Sequence, residues 1–75
     1  MNVLLFGPLA DAAGTHSLQV NAQRDTDELI RHIQLAYPLL RGQAYNVAVN
    51  QDIIHANTLL KPDAEIALLP QYSGG

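Results

Sequence analysis

Short apolar runs bounded by turn residues predict most of the strands in this chain. Residues 2–6 are apolar almost throughout and are followed by Gly7-Pro8, which is typical of a strand buried on both faces. Residues 16–20 alternate polar and apolar side chains, as a half-buried strand does. We expect these two strands to pair antiparallel. Further strands are predicted at residues 45–50, at 53–54 after a turn at residues 50–52, and at 65–69 before Pro70.

One amphipathic helix is predicted in the middle of the chain. Asp25 can cap it, with Glu28 three residues further on, and Thr26 is a competing cap. Because Pro38 disfavours a helical conformation in the residue before it, the helix should end near residue 36 or 37. Residues 10–14 are expected to form only a short helical turn or a loop. The predicted apolar stripe consists of Leu29, Ile30, Ile33, Ala36 and Tyr37.

The order strand, strand, helix, strand, short strand, strand indicates an α+β domain with two layers. Residues 1–75 should form this single domain, with a flexible C-terminal tail at residues 71–75. If the first and last strands are parallel neighbours at the centre of a mixed sheet, the fold is a β-grasp, the ubiquitin-like architecture. The pattern alone also permits other α+β arrangements.

Strand alternation places some apolar residues where the single helix cannot cover them. In the first strand Val3 and Leu5 share one face, whereas Phe6 belongs to the other. Leu69 in the last strand and Ile53 in the short strand are expected on the same uncovered face as Phe6. An apolar patch of this kind next to the tail indicates a protein interface, although loops could also cover it.

Composition and charge exclude several classes of function. The 75 residues carry a formal net charge of −3 and no cluster of lysine or arginine, which argues against nucleic acid and anionic membranes as partners. The chain has no cysteine, so disulfides, thiolate metal sites and a catalytic thiol are excluded. The apolar N-terminal run is too short for a signal peptide or a membrane span. We therefore expect a cytoplasmic protein.

The polar residues form no recognisable catalytic or metal-binding motif. His16, His32 and His55 lack the close spacing of a zinc motif and are interpreted as solvated surface residues. Ser17 and Ser73 have no nucleophile-elbow context, and no phosphate-binding glycine motif occurs. We expect no bound cofactor, no bound metal and no active site within this chain.

The C-terminal residues Ser73-Gly74-Gly75 are the strongest functional signal. Glycine has no Cβ, so a Gly-Gly carboxylate can thread a narrow channel and adopt backbone angles that other residues avoid. This pattern predicts a carboxylate that is presented to the active site of another enzyme. The alternative is a frayed tail without function.

Several motifs together resemble the small-subunit family of molybdopterin synthase. They span essentially the whole chain, and their order is more specific than any one of them. The matching segments are Leu5-Phe6, Ala13-Gly14, Ala48-Val49-Asn50-Gln51, residues 60–63 with Glu65-Ile66-Ala67, and Pro70-Gln71-Tyr72-Ser73-Gly74-Gly75.

The resemblance implies a β-grasp sulfur carrier that is a non-catalytic subunit of a heterotetrameric complex. An E1-like adenylyltransferase/sulfurtransferase would use ATP to adenylate the carboxylate of Gly75 and convert it to a thiocarboxylate. The tail, threaded through Gly74, would then deliver sulfur in the large synthase subunit to precursor Z (cyclic pyranopterin monophosphate), forming the dithiolene of molybdopterin. The implied partner interface comprises Phe6, Ile53, Leu69, Pro70, Tyr72 and Ser73.

The chain departs from the family pattern in three places. Ala10-Asp11 stands where a basic residue often follows the first strand, Asp63-Ala64-Glu65 shortens an acidic turn, and Pro70-Gln71 replaces Pro-Pro. Three alternatives therefore remain: a thiamin-pathway sulfur carrier, a ubiquitin-like protein modifier joined to lysines through Gly75, and a β-grasp binding module with an inert tail.

Overall fold

The computed structural model describes residues 1–71 and contains five strands, two α-helices and a 3-10 helix. The 3-10 helix, Pro38–Gly42, follows the second α-helix directly. In chain order the other elements are β1 (Asn2–Leu5), α1 (Pro8–Ala13), β2 (Ser17–Gln19), α2 (Thr26–Ala36), β3 (Tyr45–Val49), β4 (Asp52–Ile54) and β5 (Ile66–Pro70).

The strands form one mixed sheet in the order β2-β1-β5-β3-β4. The first and last strands are parallel neighbours, with Val3 opposite Ile66 and Leu5 opposite Leu68. All other pairs are antiparallel, including the predicted pairing of β1 with β2. The arrangement meets the condition for a β-grasp and confirms the predicted α+β fold class.

The core lies between α2 and one face of the sheet. Alternate residues of β1 and β5 pack against the buried face of α2. The buried positions therefore recur every two residues in these strands and every three to four residues in the helix. The largest fully buried side chains are Val3, Leu5, Leu9, Leu29, Ile33, Leu40, Ile66 and Leu68.

Helix α2 begins and ends at the residues that its capping signals predicted. The carboxylate of Asp25 accepts a hydrogen bond from the backbone N–H of Glu28 at 2.9 Å, so Asp25 and not Thr26 is the cap. Thr26 is the first helical residue, and Ala36 is the last. The helix stops one residue before the Tyr37-Pro38 bond, where proline disfavours the helical conformation of its predecessor.

Three local predictions were incomplete. Residues 10–14 belong to a helix that begins earlier, at Pro8, because proline is well suited to the first helical position. The 3-10 helix was not predicted, and it buries Leu40 completely. Strand β5 includes Pro70 as its last residue, since a missing N–H is tolerated where the ladder ends.

The β3–β4 hairpin turns at two residues with positive φ, Asn50 at 51° and Gln51 at 73°. Positive φ at both central positions is the geometry whose twist matches that of the adjoining strands. The side-chain oxygen of Asn50 accepts a hydrogen bond from the N–H of Glu65 at 2.9 Å, and the Asn50 N–H donates to the Glu65 carbonyl at 2.8 Å. These bonds connect the hairpin to the segment that enters β5.

Neither α-helix within residues 1–71 has the length and hydrophobicity that a bilayer crossing requires.

The cap of α2 predicts an acid-sensitive contribution to stability. The hydrogen bond from the backbone N–H of Glu28 lowers the pKa of Asp25 below its ordinary value. A lowered pKa in the folded state means that the contribution is complete above about pH 4, the usual pKa of an unfolded aspartate, and is lost as the pH falls through the folded value. Asp25→Asn keeps a capping side chain but removes this titration, so its stability should fall less than that of the wild type between pH 6 and pH 2.

Urea unfolding across this pH range provides the measurement. Asp25→Ala should cost about 0.5 to 2 kcal/mol at neutral pH because the cap is lost. The matched control is Asp11→Asn, which alters an exposed carboxylate of α1. An acid-induced loss in Asp25→Asn as large as in the wild type would contradict the assignment.

Candidate functional site: an open sheet face beside the root of the tail

The face of the sheet opposite α2 carries a continuous row of apolar residues. Strand register places Leu4 beside Ala67, Ala67 beside Ala48, and Ala48 beside Ile53. Leu5 and Leu68 are paired and face the core. Because successive side chains alternate between the two faces, the residues that follow them, Phe6 and Leu69, lie on the open face next to this row. We call these residues the open-face patch: Leu4, Phe6, Ala48, Ile53, Ala67 and Leu69.

Exposure within the open-face patch is greatest at its two largest outer side chains. Phe6 is 45% exposed and Ile53 is 47% exposed, whereas Leu4 and Leu69 are half-buried. Ala48, small and on an inner strand, is buried. The predicted placement of Phe6, Ile53 and Leu69 on the face that α2 leaves uncovered therefore agrees with the structure.

The open-face patch has a polar border on the β2 side. The side chains of Asn2 and Gln19 face each other across the β1–β2 pair and form a hydrogen bond of 3.2 Å. Ser17 lies opposite Leu4 and is exposed. An apolar centre with a polar rim is the usual anatomy of a protein interface.

Strand β5 ends beside this patch. Pro70 closes β5 opposite Tyr45, and the side-chain amide of Gln71 donates to the carbonyl of Tyr45 at 3.4 Å. Gly7, with a φ of 57°, lies close to the Pro70 ring: a Cβ at Gly7 would be 3.5 Å from Pro70 Cγ. We call Pro70 and Gln71 the root of the tail. The root of the tail is thus adjacent to Gly7, the residue that follows Phe6.

The remaining predicted site residues, Tyr72, Ser73, Gly74 and Gly75, lie outside the described residues.

Sequence reasoning missed a cleft on the other side of the sheet, where α2 approaches β3 and β4. We call it the α2–β4 cleft; its volume is about 330 Å³. Its half-buried apolar wall consists of Ile30, Val47 and Ile54, and its exposed polar wall includes Asp27, His55 and Gln71. The cleft and the root of the tail therefore share Gln71.

A hydrogen-bond network holds the polar wall of the α2–β4 cleft. The side-chain oxygen of Asn57 accepts from the hydroxyl of Thr26 at 3.2 Å and from the backbone N–H of Asp27 at 2.9 Å. The Thr26 hydroxyl in turn accepts from the N–H of Thr58 at 2.9 Å. Asn57 thus satisfies one N–H at the start of α2 in addition to the one that Asp25 caps.

His16, His32 and His55 are each exposed. Within residues 1–71 no three histidine, aspartate or glutamate side chains are grouped as metal ligands.

Comparison with known proteins relates both the sequence and the fold to sulfur carriers and modifiers. The model of the ThiS family matches residues 3–75. The molybdopterin synthase sulfur carrier subunit of Mycobacterium tuberculosis is 39% identical over an alignment 80 positions long, gaps included, which covers 100% of this chain and 96% of that protein.

Two solved structures of small archaeal modifier protein 1 (SAMP1) superimpose closely. The crystal structure from Haloferax volcanii gives a TM-score of 0.82 at 26% identity, covering 99% of this chain and 97% of that one. The solution structure from Methanosarcina acetivorans gives 0.83 at 28% identity, covering 99% and 94%. Both are ubiquitin-like β-grasp proteins.

Leu5, on the core face of β1, and Phe6, which directly follows β1 on the open face, should respond differently to truncation. Leu5→Ala leaves a cavity in the core and should lower the free energy of unfolding by about 2 to 5 kcal/mol. Phe6→Ala removes a side chain that is already nearly half in water, so we expect a loss of about 1 kcal/mol. Chemical denaturation of the two variants tests this, and equal losses would mean that Phe6 belongs to the core.

Proposed function

The chain belongs to the ThiS family, and on that premise we propose that it is the sulfur carrier subunit of a molybdopterin synthase. The observation that carries the proposal is the 39% identity, over the full chain, with a protein named for that role. The structure supports it with an apolar surface, the open-face patch, immediately beside the root of the tail. A carrier needs this combination because its partners must hold the domain while they act on its end.

The proposed chemistry proceeds at the carboxylate of Gly75. A carboxylate is a poor acyl donor, so a carboxylate oxygen first attacks the α-phosphate of ATP on the E1-like enzyme, and pyrophosphate leaves. A sulfide equivalent (HS⁻) from the sulfur donor then attacks the acyl carbon and displaces AMP, which leaves a thiocarboxylate on Gly75. In the large subunit this tethered sulfur attacks a carbon of precursor Z at high effective concentration. Water then cleaves the acyl–sulfur bond, which regenerates the Gly75 carboxylate and leaves the sulfur on the pterin. Two such deliveries form the dithiolene.

The open-face patch is the proposed docking surface for both enzymes. Phe6, Ile53 and Leu69 would form its centre, with Pro70, Tyr72 and Ser73 continuing the contact toward the Gly74-Gly75 end. Since one surface serves two partners, the carrier must leave the activating enzyme before it binds the large subunit. We propose that this exchange takes place in the cytoplasm and that the carrier and the large subunit form a heterotetramer.

The structural similarity to the archaeal modifier proteins favours a second candidate. A ubiquitin-like modifier would use the same adenylated Gly75 but transfer its acyl carbon to a lysine amine. The product distinguishes the candidates: a carrier accumulates a thiocarboxylate, and a modifier accumulates isopeptide conjugates.

The carrier proposal predicts that the cognate activating enzyme, ATP and a sulfur donor exchange one oxygen of the Gly75 carboxylate for sulfur. Intact-mass spectrometry detects the exchange, and the chain lacking Gly75 is the matched control. An unchanged mass, with an enzyme that sulfurates another carrier in the same assay, would refute the proposal. A thiocarboxylate that yields no dithiolene with the large subunit and precursor Z would assign the carrier to another pathway.

The docking proposal predicts that Phe6→Ala weakens binding to each enzyme about ten- to a hundredfold, because a large apolar side chain is no longer buried on binding. Leu69→Asp should have an equal or larger effect. Leu39→Ala is the control, since Leu39 is 70% exposed but lies in the 3-10 helix, outside the patch. Titration calorimetry gives the affinities; folded variants that bind both enzymes as the wild type does would exclude this face as the interface.

A further inference from the structure

We infer that the α2–β4 cleft is a second contact site, which receives an arginine side chain of the large subunit. The inference rests on the proposed function, because it assumes that a large subunit binds the tail. It concerns a surface separate from the open-face patch: the cleft lies on the α2 side of the sheet, and the two surfaces meet only near the root of the tail.

The position of the cleft brings any protein that holds Gly75 close to it. Gln71 lines the cleft, and its side chain donates to the carbonyl of Tyr45, another lining residue. Four residues follow Gln71 in the sequence. At about 3.5 Å per extended residue, four residues span at most about 14 Å. An enzyme whose active site encloses Gly75 therefore has part of its surface near the cleft.

The chemistry of the two walls matches a long cationic side chain. Ile30, Val47 and Ile54 offer an apolar surface for a methylene stem, and Asp27 offers a carboxylate for the charged head. Tyr45 adds an aromatic ring, and its hydroxyl accepts a hydrogen bond from the side-chain amide of Gln34 at 2.8 Å, which restrains the ring. A planar guanidinium can stack on such a ring while it pairs with a carboxylate, so the site suits arginine better than lysine.

The carboxylate of Asp27 is available to a partner. Within residues 1–71 the ion pairs are those of Arg24 with Asp25, at 3.9 Å, and with Glu28, at 3.4 Å. Arg31 is one helical turn from Asp27 but makes no such pair with it in this part of the chain. The dipole of α2 stabilises the charge of Asp27 without occupying its oxygens. The net charge of −3 also favours a cationic partner.

The cleft is preformed. Asn57 accepts hydrogen bonds from Thr26 and from the backbone of Asp27, and this holds the segment after β4 against the start of α2. An isolated antiparallel β-bridge between Asp25 and Leu59 is a second contact that holds this segment beside the start of α2. Binding an arginine would therefore require little ordering of the carrier, which lowers the entropic cost of association.

Titration calorimetry of the folded carrier against the cognate large subunit tests the inference. Asp27→Asn, which removes the charge and keeps the shape, should weaken binding about five- to thirtyfold. The matched control Asp11→Asn removes an exposed carboxylate of α1 and should change affinity less than about twofold. Ala56→Phe, at an exposed residue of the cleft wall, should fill the cleft and weaken binding by about tenfold or more.

A double-mutant cycle identifies the occupant. Surface arginines of the large subunit are replaced by alanine one at a time, and one of them should lose affinity in the wild-type background but not in Asp27→Asn. The inference is overturned if Asp27→Asn and Ala56→Phe bind as the wild type does, or if no arginine couples to Asp27. Should Phe6→Ala still weaken binding in that case, the proposed function stands without the cleft. A wild-type chain that does not bind the large subunit overturns both.

Discussion

The parallel pairing of β1 with β5 is the constraint on which the rest of the structure depends. It brings the first and last strands together at the centre of the sheet, with Leu5 opposite Leu68. Parallel neighbours need a long crossover connection, and the segment containing α2 supplies it while covering one face. The same pairing places Phe6 beside Leu69 and so fixes where the tail begins. The pairing of β1 with β5 therefore determines both the arrangement of the sheet and the position of the candidate site.

The open face follows from the placement of the helices. Within residues 1–71 the one long helix is α2, and it packs on only one side of the sheet, which leaves Leu4, Phe6 and Ile53 on the other side. These residues stay partly or largely exposed, and burying them against a partner would be favourable because apolar surface would leave water. In the proposed function, two enzymes would in turn bind this apolar face.

The start of α2 has two structural effects. Asp25 caps the helix from the N-terminal side, while Asn57 reaches the same turn from a segment 30 residues further along the chain. The contact of Asn57 with the first turn of α2 holds the segment after β4 against the helix. It fills only part of the space between α2 and β4, and the rest of that space is the α2–β4 cleft. A contact that stabilises the fold thus also shapes a polar surface near the tail, on the side of the sheet away from the open-face patch.

Local signals in the sequence determined the bounds of α2, the position of all five strands and the face on which Phe6 and Leu69 lie. Capping, proline geometry and side-chain alternation act over only a few residues, so the sequence displays them directly. Tertiary structure alone decided the strand order, the burial of Leu40 in its 3-10 helix, and the α2–β4 cleft. The cleft depends on contacts such as that between Thr26 and Asn57, 31 residues apart. No periodicity encodes such a pair, because its partners meet only after the sheet has brought β4 beneath α2.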